Sequence, residues 1–509
     1  MFTSTDPFPF FDYFRAPYEV ARDDVGDLPR GVGRLTPTDR GSGPFPSLYW
    51  WRAGAAPHQP WRVRTGRFSL AGFDLVCPVL RELPAGLAES GGTGTQWQVV
   101  EPILGPDGDV VASVRRDELG NVFLPFDPGE AMTYLWSERY NRLGAARWTG
   151  AARRVMVQGY YALRPLLPRR VQIRLRRGYA ARVDLPEFPR WPVEHSLHDM
   201  YDWLWRLLAD VAGEPVPYLS LWPDGKQAAF VLTHDVETAV GRDAIEDLRA
   251  PERKRGLRSS WNFVPERYDV PDELVRALQD EGCEIGVHGL RHDGHDLSSR
   301  LQLRRRLPAI RAAADRWGAV GFRSPATQRR WSLMPRTGFD YDSTYCDTAP
   351  HEPEPGGSCT YLPFFNQQQV ELPMTVPMDH TIFEILGHTD GEVWRRKTAE
   401  LRARNGMILI LTHPDYTGCP GLLEAWDELL DDLGEDQTVW QALPREVAVW
   451  WRDRAASRLV RGKDGWRVDG PARRRARVSF GGAHHDRLPD GRAGIEEEGE
   501  QRVDQRVAG

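Results

Sequence analysis

The chain has few cysteines, and their spacing builds no site. Five cysteines are scattered over 509 residues, and no Cys-x-x-Cys pair occurs. This excludes a zinc ribbon and a dithiol redox motif. A sparse, odd set fits a reducing compartment better than a disulfide framework.

Segments that would direct the chain to a membrane are also missing. The stretch MFTSTDPFPFFDYFRAPYEV has no basic part followed by an apolar part, so no secretory signal is predicted. No window reaches the roughly 18 apolar residues that a membrane span needs. We therefore expect a cytoplasmic protein without a membrane span.

An excess of positive charge is lacking as well. The formal net charge is −6, so nothing favours nucleic acid as a partner. The chain is 41% hydrophobic and 27% charged, which is an ordinary globular balance. Its length is enough for two or three domains, and the oligomeric state stays open.

Changes of pattern divide the chain into four regions. Residues 1–45 are rich in proline, glycine and charge, and predict an extended arm. Residues 46–215 combine short apolar runs with later helical periodicity, and predict a β-rich, then helical, accessory domain of unknown role. Residues 226–457 alternate apolar runs with helical stretches, which is typical of a parallel α/β sheet or barrel. Residues 461–509 are charged and poor in large apolar side chains, and predict a disordered tail.

Several predicted strands in the third region end in titratable side chains. These ends are Thr233-His234-Asp235-Val236-Glu237, His288-Gly-Leu-Arg-His292, Arg323-Ser-Pro325 and Thr412-His413-Pro414-Asp415. The carboxyl ends of parallel strands gather on one face of an α/β fold, where active sites lie. We therefore expect these groups to share a site.

Each piece also has an ordinary explanation. A His-x-x-x-His spacing arises by chance in a chain with thirteen histidines, and Asp235 could cap the following helix. Arg323 could be a plain ion-pair residue, and His413 a hydrogen-bonded surface or core histidine. Their ordered occurrence at strand ends is what favours a site.

The ordered set resembles the polysaccharide deacetylase family over about residues 226–455. Thr233–Glu237 resembles the family's Thr-Phe-Asp-Asp-Gly or Thr-Phe-Asp-Val-Asp motif, and His288–His292 resembles His-Ser/Thr-x-x-His. Arg323–Pro325 resembles Arg-x-Pro, Gly338–Thr344 resembles Gly-Phe-x-Tyr-Asp-Ser-Ser, and Leu411–Pro414 resembles Leu-x-x-His-Pro. The resemblance implies a distorted (β/α)7 barrel, here preceded by the mixed β-rich and helical N-terminal domain.

The resemblance also implies a metal-dependent hydrolase that removes N-acetyl groups from amino sugars in a glycan, oligosaccharide or glycan precursor. A divalent metal, zinc by family analogy, would be held by His288, His292 and Glu237. An open coordination position would bind water and lower its pKa. The expected partner is therefore a carbohydrate substrate.

The same resemblance assigns the other roles. Asp235 would be the catalytic base, His413 would protonate the departing amine, and Arg323 would keep Asp235 ionised. Asp379 is the candidate for the acid that orients His413.

Two departures from the family pattern bear on the metal site. The second acid of Asp-Asp is replaced by Val236, so the carboxylate ligand would be Glu237, two residues after Asp235 and on the same side of the strand. Glu237 is one methylene longer than aspartate. Gly289 stands where the family has Ser or Thr, which removes a local hydrogen bond.

Two alternatives remain open for the barrel. It could hydrolyse another non-peptide C–N bond, in a cyclic amide or imide, since relatives of this barrel do so. It could also be a catalytically inactive barrel that binds sugar or is structural.

Other features have a structural and a functional interpretation. Tryptophans that could stack on sugars or pack in a core are Trp50, Trp51, Trp97, Trp136 and Trp148. Residues 163–183 carry seven arginines, which could bind acidic lipid or anionic sugar phosphates, or form a solvated, ion-paired face. His295 could contact the site or face solvent, and His484 and His485 lie in the predicted tail.

Overall fold

Two sheets of nine strands each dominate the computed structural model of the protein. The structure describes residues 1–21, 28–38, 46–52, 62–89, 96–143, 174, 176–178 and 185–482. No helix among these residues is long and apolar enough to cross a membrane.

The first sheet belongs to the N-terminal part of the chain. The strands before the barrel are β1 (Phe2–Ser4), β2 (Tyr18–Val20), β3 (Val32–Pro37), β4 (Leu48–Trp51), β5 (Val63–Leu70), β6 (Phe73–Leu80), β7 (Gln98–Leu104), β8 (Val110–Arg116), β9 (Val122–Leu124) and β10 (Val216–Leu219). The first nine form one mixed sheet in the order β2-β1-β3-β4-β9-β8-β7-β5-β6. A turn at Asp107-Gly108 joins β7 to β8, and Gly108 has the positive φ, 79°, that such a turn requires.

Four helices belong to this part of the chain: α1 (Pro9–Phe14), α2 (Ala85–Glu89), α3 (Pro128–Trp136) and α4 (Ser196–Ala212). Helices α1, α3 and α4 share one apolar cluster with the sheet, whereas Leu87 of α2 packs with Val32, Trp51 and Phe123 in a second one. The apolar spacing predicted helix α4, and its residues Leu197, Leu204 and Leu208 are completely buried. Helices α3 and α4 both contact β6, whose last six residues are all buried.

Residues 1–45 do not form the extended arm that their composition predicts. Their described part supplies β1, β2, β3 and α1, and Phe8, Phe10 and Phe11 are completely buried. The isolated aromatic residues of this stretch are therefore core residues of the first sheet. The strands of this stretch pair with one another and with β4, but Phe10 packs on Tyr201 and Trp205 of the distant helix α4, which local composition does not show.

The second sheet forms the barrel. Its strands are β11 (Ala228–Val236), β12 (Ser259–Phe263), β13 (Glu284–Val287), β14 (Gly321–Phe322), β15 (Tyr341–Asp342), β16 (Phe364–Asn366), β17 (Gln369–Glu371), β18 (Met407–Thr412) and β19 (Val439–Gln441). Seven parallel strands lie in the order β17-β15-β14-β13-β12-β11-β18. The N–H groups of Thr375 and Val376, just after β17, both donate to the Leu409 carbonyl of β18 at 3.2 Å and close the ring. The predicted distorted (β/α)7 barrel is confirmed.

Helices surround the barrel, with one irregular stretch. They are α5 (Ala239–Asp243), α6 (Ile245–Lys254), α7 (Asp272–Asp280), α8 (Arg300–Trp317), α9 (Glu392–Ala403), α10 (Leu422–Gly434) and α11 (Pro444–Ala455). Between β14 and β15 the chain makes short 3-10 turns at Pro325–Thr327 and Met334–Thr337. The α-helix expected of a regular βα unit is replaced there, which distorts the barrel.

Alternate side chains of strand β11 pack into two different apolar clusters. Phe230 and Leu232 pack in the cluster that includes the surrounding helices, whereas Ala229 and Val231 pack with Leu409 in a second cluster. Because side chains alternate along a strand, Asp235 follows the second set. His234 follows the first set, where its ring stacks on Trp261 at 4.0 Å between centroids.

The end of the described chain is ordered as well. Residues 461–509 were expected to be a disordered tail, yet β20 (Arg458–Gly462), β21 (Gly465–Asp469) and β22 (Val478–Gly481) lie partly within them. Strand β22 pairs with β10 in an antiparallel ribbon. Residues 483–509, including His484 and His485, lie outside the described residues.

Candidate metal and catalytic site

Three side chains at the carboxyl ends of β11 and β13 come together as a possible metal site. Ligand atoms of Glu237, His288 and His292 all lie within 4.8 Å of one another. Glu237 follows β11 directly and His288 follows β13 directly. Strands β11 and β13 both pair with β12 in parallel, so their carboxyl ends bring Glu237 and His288 to the same mouth of the barrel.

The two imidazoles are arranged as metal ligands usually are. His288 Nδ1 lies 3.2 Å from the Arg323 carbonyl, and the buried Nε2 has no hydrogen-bond partner among the described residues. His292 Nε2 lies 2.8 Å from Glu237 Oε1, but the pair is not aligned as a hydrogen bond. Two unpartnered nitrogens facing a carboxylate form the donor set of a catalytic zinc-type site, so the residues fit a divalent ion.

Burial and neighbouring charges keep His288 and Glu237 in the forms that bind metal. Burial lowers the pKa of His288 to about 4, so its imidazole is neutral. Burial alone would raise the pKa of Glu237, but His292, and then His413, hold it well below its ordinary value. A neutral imidazole and an ionised carboxylate are what coordination requires.

The loop between the two histidines explains the glycine at 289. Gly289 has a φ of 65°, and a Cβ there would meet Asp296 Oδ2 at 2.5 Å and the Pro325 ring at 2.6 Å. Asp296 accepts a hydrogen bond from the Leu290 N–H at 3.0 Å. Asp296 therefore supplies the hydrogen bond to this loop that a Ser or Thr side chain at position 289 would otherwise make. His292 itself has a φ of 54°, an uncommon backbone conformation.

Asp235 lies beside the metal ligands and is firmly positioned. Its Oδ1 accepts hydrogen bonds from Arg323 Nη1 at 3.0 Å and Asn262 Nδ2 at 2.7 Å. Its Oδ2 lies 3.4 Å from His288 Nδ1. Burial alone would raise the pKa of Asp235, but Arg323, then the imidazoles, hold it below its ordinary value. An ionised carboxylate with one oxygen fixed and the other facing the metal ligands can accept a proton.

His413 and Asp379 form a tight pair on another side of the mouth. Asp379 Oδ1 lies 2.6 Å from His413 Nδ1, and its Oδ2 accepts the His413 backbone N–H at 2.6 Å. Burial would lower the pKa of His413, but the Asp379 carboxylate overrides this and raises it to about 10. The imidazolium is therefore the favoured form at neutral pH, and Nε2 is the nitrogen left to give a proton away.

Three further side chains at the site lie outside the matching motifs, and of these only Asp415 was among the strand-end groups expected there. Asn262 fixes Asp235, Asp415 Oδ2 accepts the Glu237 N–H at 2.9 Å, and Tyr416 OH donates to Glu237 Oε2 at 3.2 Å. Asn262 is polar within the buried strand β12, paired with Asp235 in register, and that pattern could have revealed it. Tyr416 had no comparable signal.

The remaining candidates have structural roles or lie outside the described residues. Trp50 and Trp51 are buried in the first part of the chain, Trp97 Nε1 donates to the Leu87 carbonyl, and Trp136 stacks on Phe364. Trp148 lies outside the described residues. His295 faces solvent next to Asp293.

Solved structures similar to the chain include proteins of the family that the motifs resemble. No protein-family model matches the chain, and no curated protein does. A protein assigned as a polysaccharide deacetylase from Mycobacterium smegmatis is 21% identical with a TM-score of 0.38, covering 46% of this chain and 93% of its own. One from Pseudomonas aeruginosa PAO1 is 19% identical with a TM-score of 0.39, covering 48% and 97%.

The Puue allantoinase is also similar in fold, at 16% identity and a TM-score of 0.40, covering 52% of this chain and 98% of its own. In each case the similarity extends over about half of this chain. All three TM-scores are below 0.5, so what the site can do follows from its own side chains.

Proposed function

We propose that this protein is a metal-dependent hydrolase that removes N-acetyl groups from amino sugars of a glycan, an oligosaccharide or a glycan precursor. One observation carries the proposal. The prospective ligands Glu237, His288 and His292 converge beside a buried, ionised Asp235 and a protonated His413. A base and an acid on either side of a metal position are what amide hydrolysis needs.

The metal would be held by Glu237, His288 and His292, and zinc suits two imidazoles with one carboxylate. When bound, such an ion lowers the pKa of water and polarises the acetamide carbonyl. His288 is oriented for this task because its Nδ1 faces the Arg323 carbonyl, which leaves Nε2 for the metal.

Asp235 acts as the general base. Its Oδ1 is occupied by Arg323 and Asn262, so the proton from the attacking water goes to Oδ2. Arg323 is itself held by the Ser343 carbonyl and hydroxyl at 2.7 and 2.8 Å. This fixed guanidinium keeps Asp235 ionised before each turnover.

His413 acts as the general acid. Asp379 occupies its Nδ1 and keeps the ring protonated, so Nε2 donates the proton to the nitrogen that leaves as the free amine. The products are acetate and an amino sugar. The choice of an N-acetylated sugar rests on the family that the motifs resemble.

Acetate release from oligomers of N-acetylglucosamine tests the proposal. We expect metal-dependent release by the full chain, and a loss of about 100-fold or more for Asp235→Asn with an unchanged fold by circular dichroism. Glu266→Gln, on an exposed glutamate paired with Arg291, is the control. Hydrolysis of cyclic amides without acetate release, or no turnover of either substrate by metal-loaded protein, would contradict the proposal.

A further inference from the structure

A long stretch of unbalanced positive charge precedes helix α4. Residues 139–183 contain twelve arginines and no aspartate or glutamate, in a chain with a net charge of −6. Such a segment cannot neutralise its charge by ion pairs within itself. Its charge is therefore available to other parts of the chain or to a ligand.

Two arginines of this stretch lie against the turn that begins next to Asp379. Arg176 Nη1 lies 3.3 Å from His380 Nε2, and Arg177 Nε donates to the Glu384 carbonyl at 2.8 Å. Both contacts are made to the π-helical turn His380–Ile385, which starts directly after Asp379. The two guanidiniums thus lie at the side of the mouth that carries the proposed acid.

Only two side chains separate Arg176 from the metal ligands. The His380 ring, which Arg176 contacts, has its centroid 4.7 Å from that of Tyr416. The Tyr416 ring centroid in turn lies 5.2 Å from that of His413, and the Tyr416 hydroxyl donates to Glu237. A group bound by Arg176 would therefore belong to a sugar close to the one being deacetylated.

Neither guanidinium is paired with an acid in the described part of the chain. No carboxylate oxygen of these residues lies within the 4.0 Å of an ion pair to Arg176 or Arg177. The Glu384 carboxylate contacts Cys419 Sγ at 3.0 Å instead. By contrast Arg291, beside the ligand His292, pairs with Glu266 at 2.7 Å.

We propose that Arg176 and Arg177 bind a carboxylate on a sugar adjacent to the one being deacetylated, so that the substrate is an acidic glycan. This inference rests on the proposed function. Two guanidiniums without an acid partner among the described residues, held at the side of the mouth by contacts to a single turn, can take an anionic group of a ligand. A substrate carboxylate offsets this charge, and planar guanidiniums suit carboxylates through paired N–H···O bonds.

Two oligosaccharides of equal length provide the test. One is a neutral oligomer of N-acetylglucosamine, and the other alternates N-acetylglucosamine with a uronic acid. We expect the full chain to release acetate from the acidic oligomer with a kcat/KM roughly tenfold higher at low salt, and this preference to fall as salt rises. In the double variant Arg176→Gln/Arg177→Gln the ratio should fall to about one, while Arg64→Gln, on an arginine of β5 that pairs with Asp109, should keep it.

The outcomes separate the inference from the proposed function. Acetate release without a preference, or a preference that survives the double variant, overturns the acidic subsite and leaves the deacetylase. No release from either oligomer contradicts the deacetylase. The subsite is then judged by calorimetry on Asp235→Asn, where equal affinity for the two oligomers overturns it.

A membrane surface is the competing partner for these arginines. Binding of the full chain to phosphatidylglycerol vesicles that is lost in the double variant, with no preference for the acidic oligomer, would also overturn the inference.

Discussion

At the position of the metal carboxylate this chain has Glu237, one methylene longer than the aspartate of the motif it resembles. Its neighbours hold it from two directions. Asp415 accepts its backbone N–H, and Tyr416 donates to its Oε2, which leaves Oε1 facing His292. The residues that follow His413-Pro414 thereby fix both the backbone and the carboxylate of the proposed ligand.

Removing the Tyr416 hydroxyl should weaken metal binding. In Tyr416→Phe the Glu237 carboxylate loses a hydrogen bond that orients it, and such losses cost about 10- to 100-fold in metal affinity. A competition titration of zinc against a chelator measures this. Tyr134→Phe, in helix α3, is the matched control. Equal affinity in both variants would remove Tyr416 from the metal site.

Asp379 should control the pH range of the reaction. His413 acts as an acid only when protonated, so activity is lost as the pH rises through its pKa. Asp379 raises that pKa to about 10, against the effect of burial. Asp379→Asn should therefore move the alkaline limb of the kcat/KM profile to lower pH. The kcat/KM profile of His413→Gln, which lacks the proposed acid, is the reference. An alkaline limb that stays in place in Asp379→Asn would exclude His413 as the acid.

Strands β15 and β17 carry a second pair of acids, next to Ser343, which holds Arg323. Asp342 and Glu371 lie opposite each other on the paired strands β15 and β17, and both are completely buried. Burial raises the pKa of Asp342 to about 7. Burial and then the Asp342 charge raise that of Glu371 well above its ordinary value. The folded barrel therefore holds protons that the unfolded chain releases above about pH 4.

This pair should make the fold less stable as the pH rises. Because the folded pKa values are raised, the stability is fully present below about pH 4 and is lost as the pH rises through about 7. Glu371→Gln keeps the hydrogen bonding without the second charge. We expect it to raise the free energy of unfolding by about 1–2 kcal/mol at pH 8, with less effect at pH 5.

Urea denaturation at both pH values measures this effect, with exposed Glu266→Gln as control. A variant that is less stable than the parent at pH 8 would show that the two carboxyls stabilise the folded state as a charged, hydrogen-bonded pair.

The sequence predicted those helices and strands whose apolar pattern is visible within a few consecutive residues. The apolar strands β11 and β18, the periodic helix α4 and the order of strand ends were predicted because their patterns lie within a few residues. The elements in residues 1–45 were not, since helix α4, on which their aromatic side chains pack, lies far along the chain. Tyr416 and Asp296 act through loops that only the folded barrel brings into place.

The two halves of the molecule are joined by buried polar contacts. Arg454 of α11 is fully buried and donates to the carbonyls of Tyr13, Phe14, Leu219 and Ser220. On the barrel side, Arg329 Nε and Nη2 donate to the two carboxylate oxygens of Glu138 at 2.7 and 2.6 Å. Glu138 follows α3 of the N-terminal part.

Breaking the Glu138 pair should destabilise the whole molecule. Glu138→Ala leaves the buried Arg329 guanidinium without its acid, and losing one partner of a buried pair costs about 3 kcal/mol. Chemical denaturation should show this loss. Glu19→Ala, on the exposed side of β2, should change stability by less than about 0.5 kcal/mol. Equal effects of the two substitutions would mean that the ion pair contributes nothing to joining the halves.

The metal position is the claim on which the other functional proposals depend. A crystal of the full chain grown with zinc, with diffraction recorded on both sides of the zinc absorption edge, tests it most directly. We predict one strong anomalous peak within about 2.0–2.2 Å of His288 Nε2, His292 Nε2 and a Glu237 oxygen. A fully loaded crystal with no peak there, or with the zinc bound only elsewhere, would contradict it.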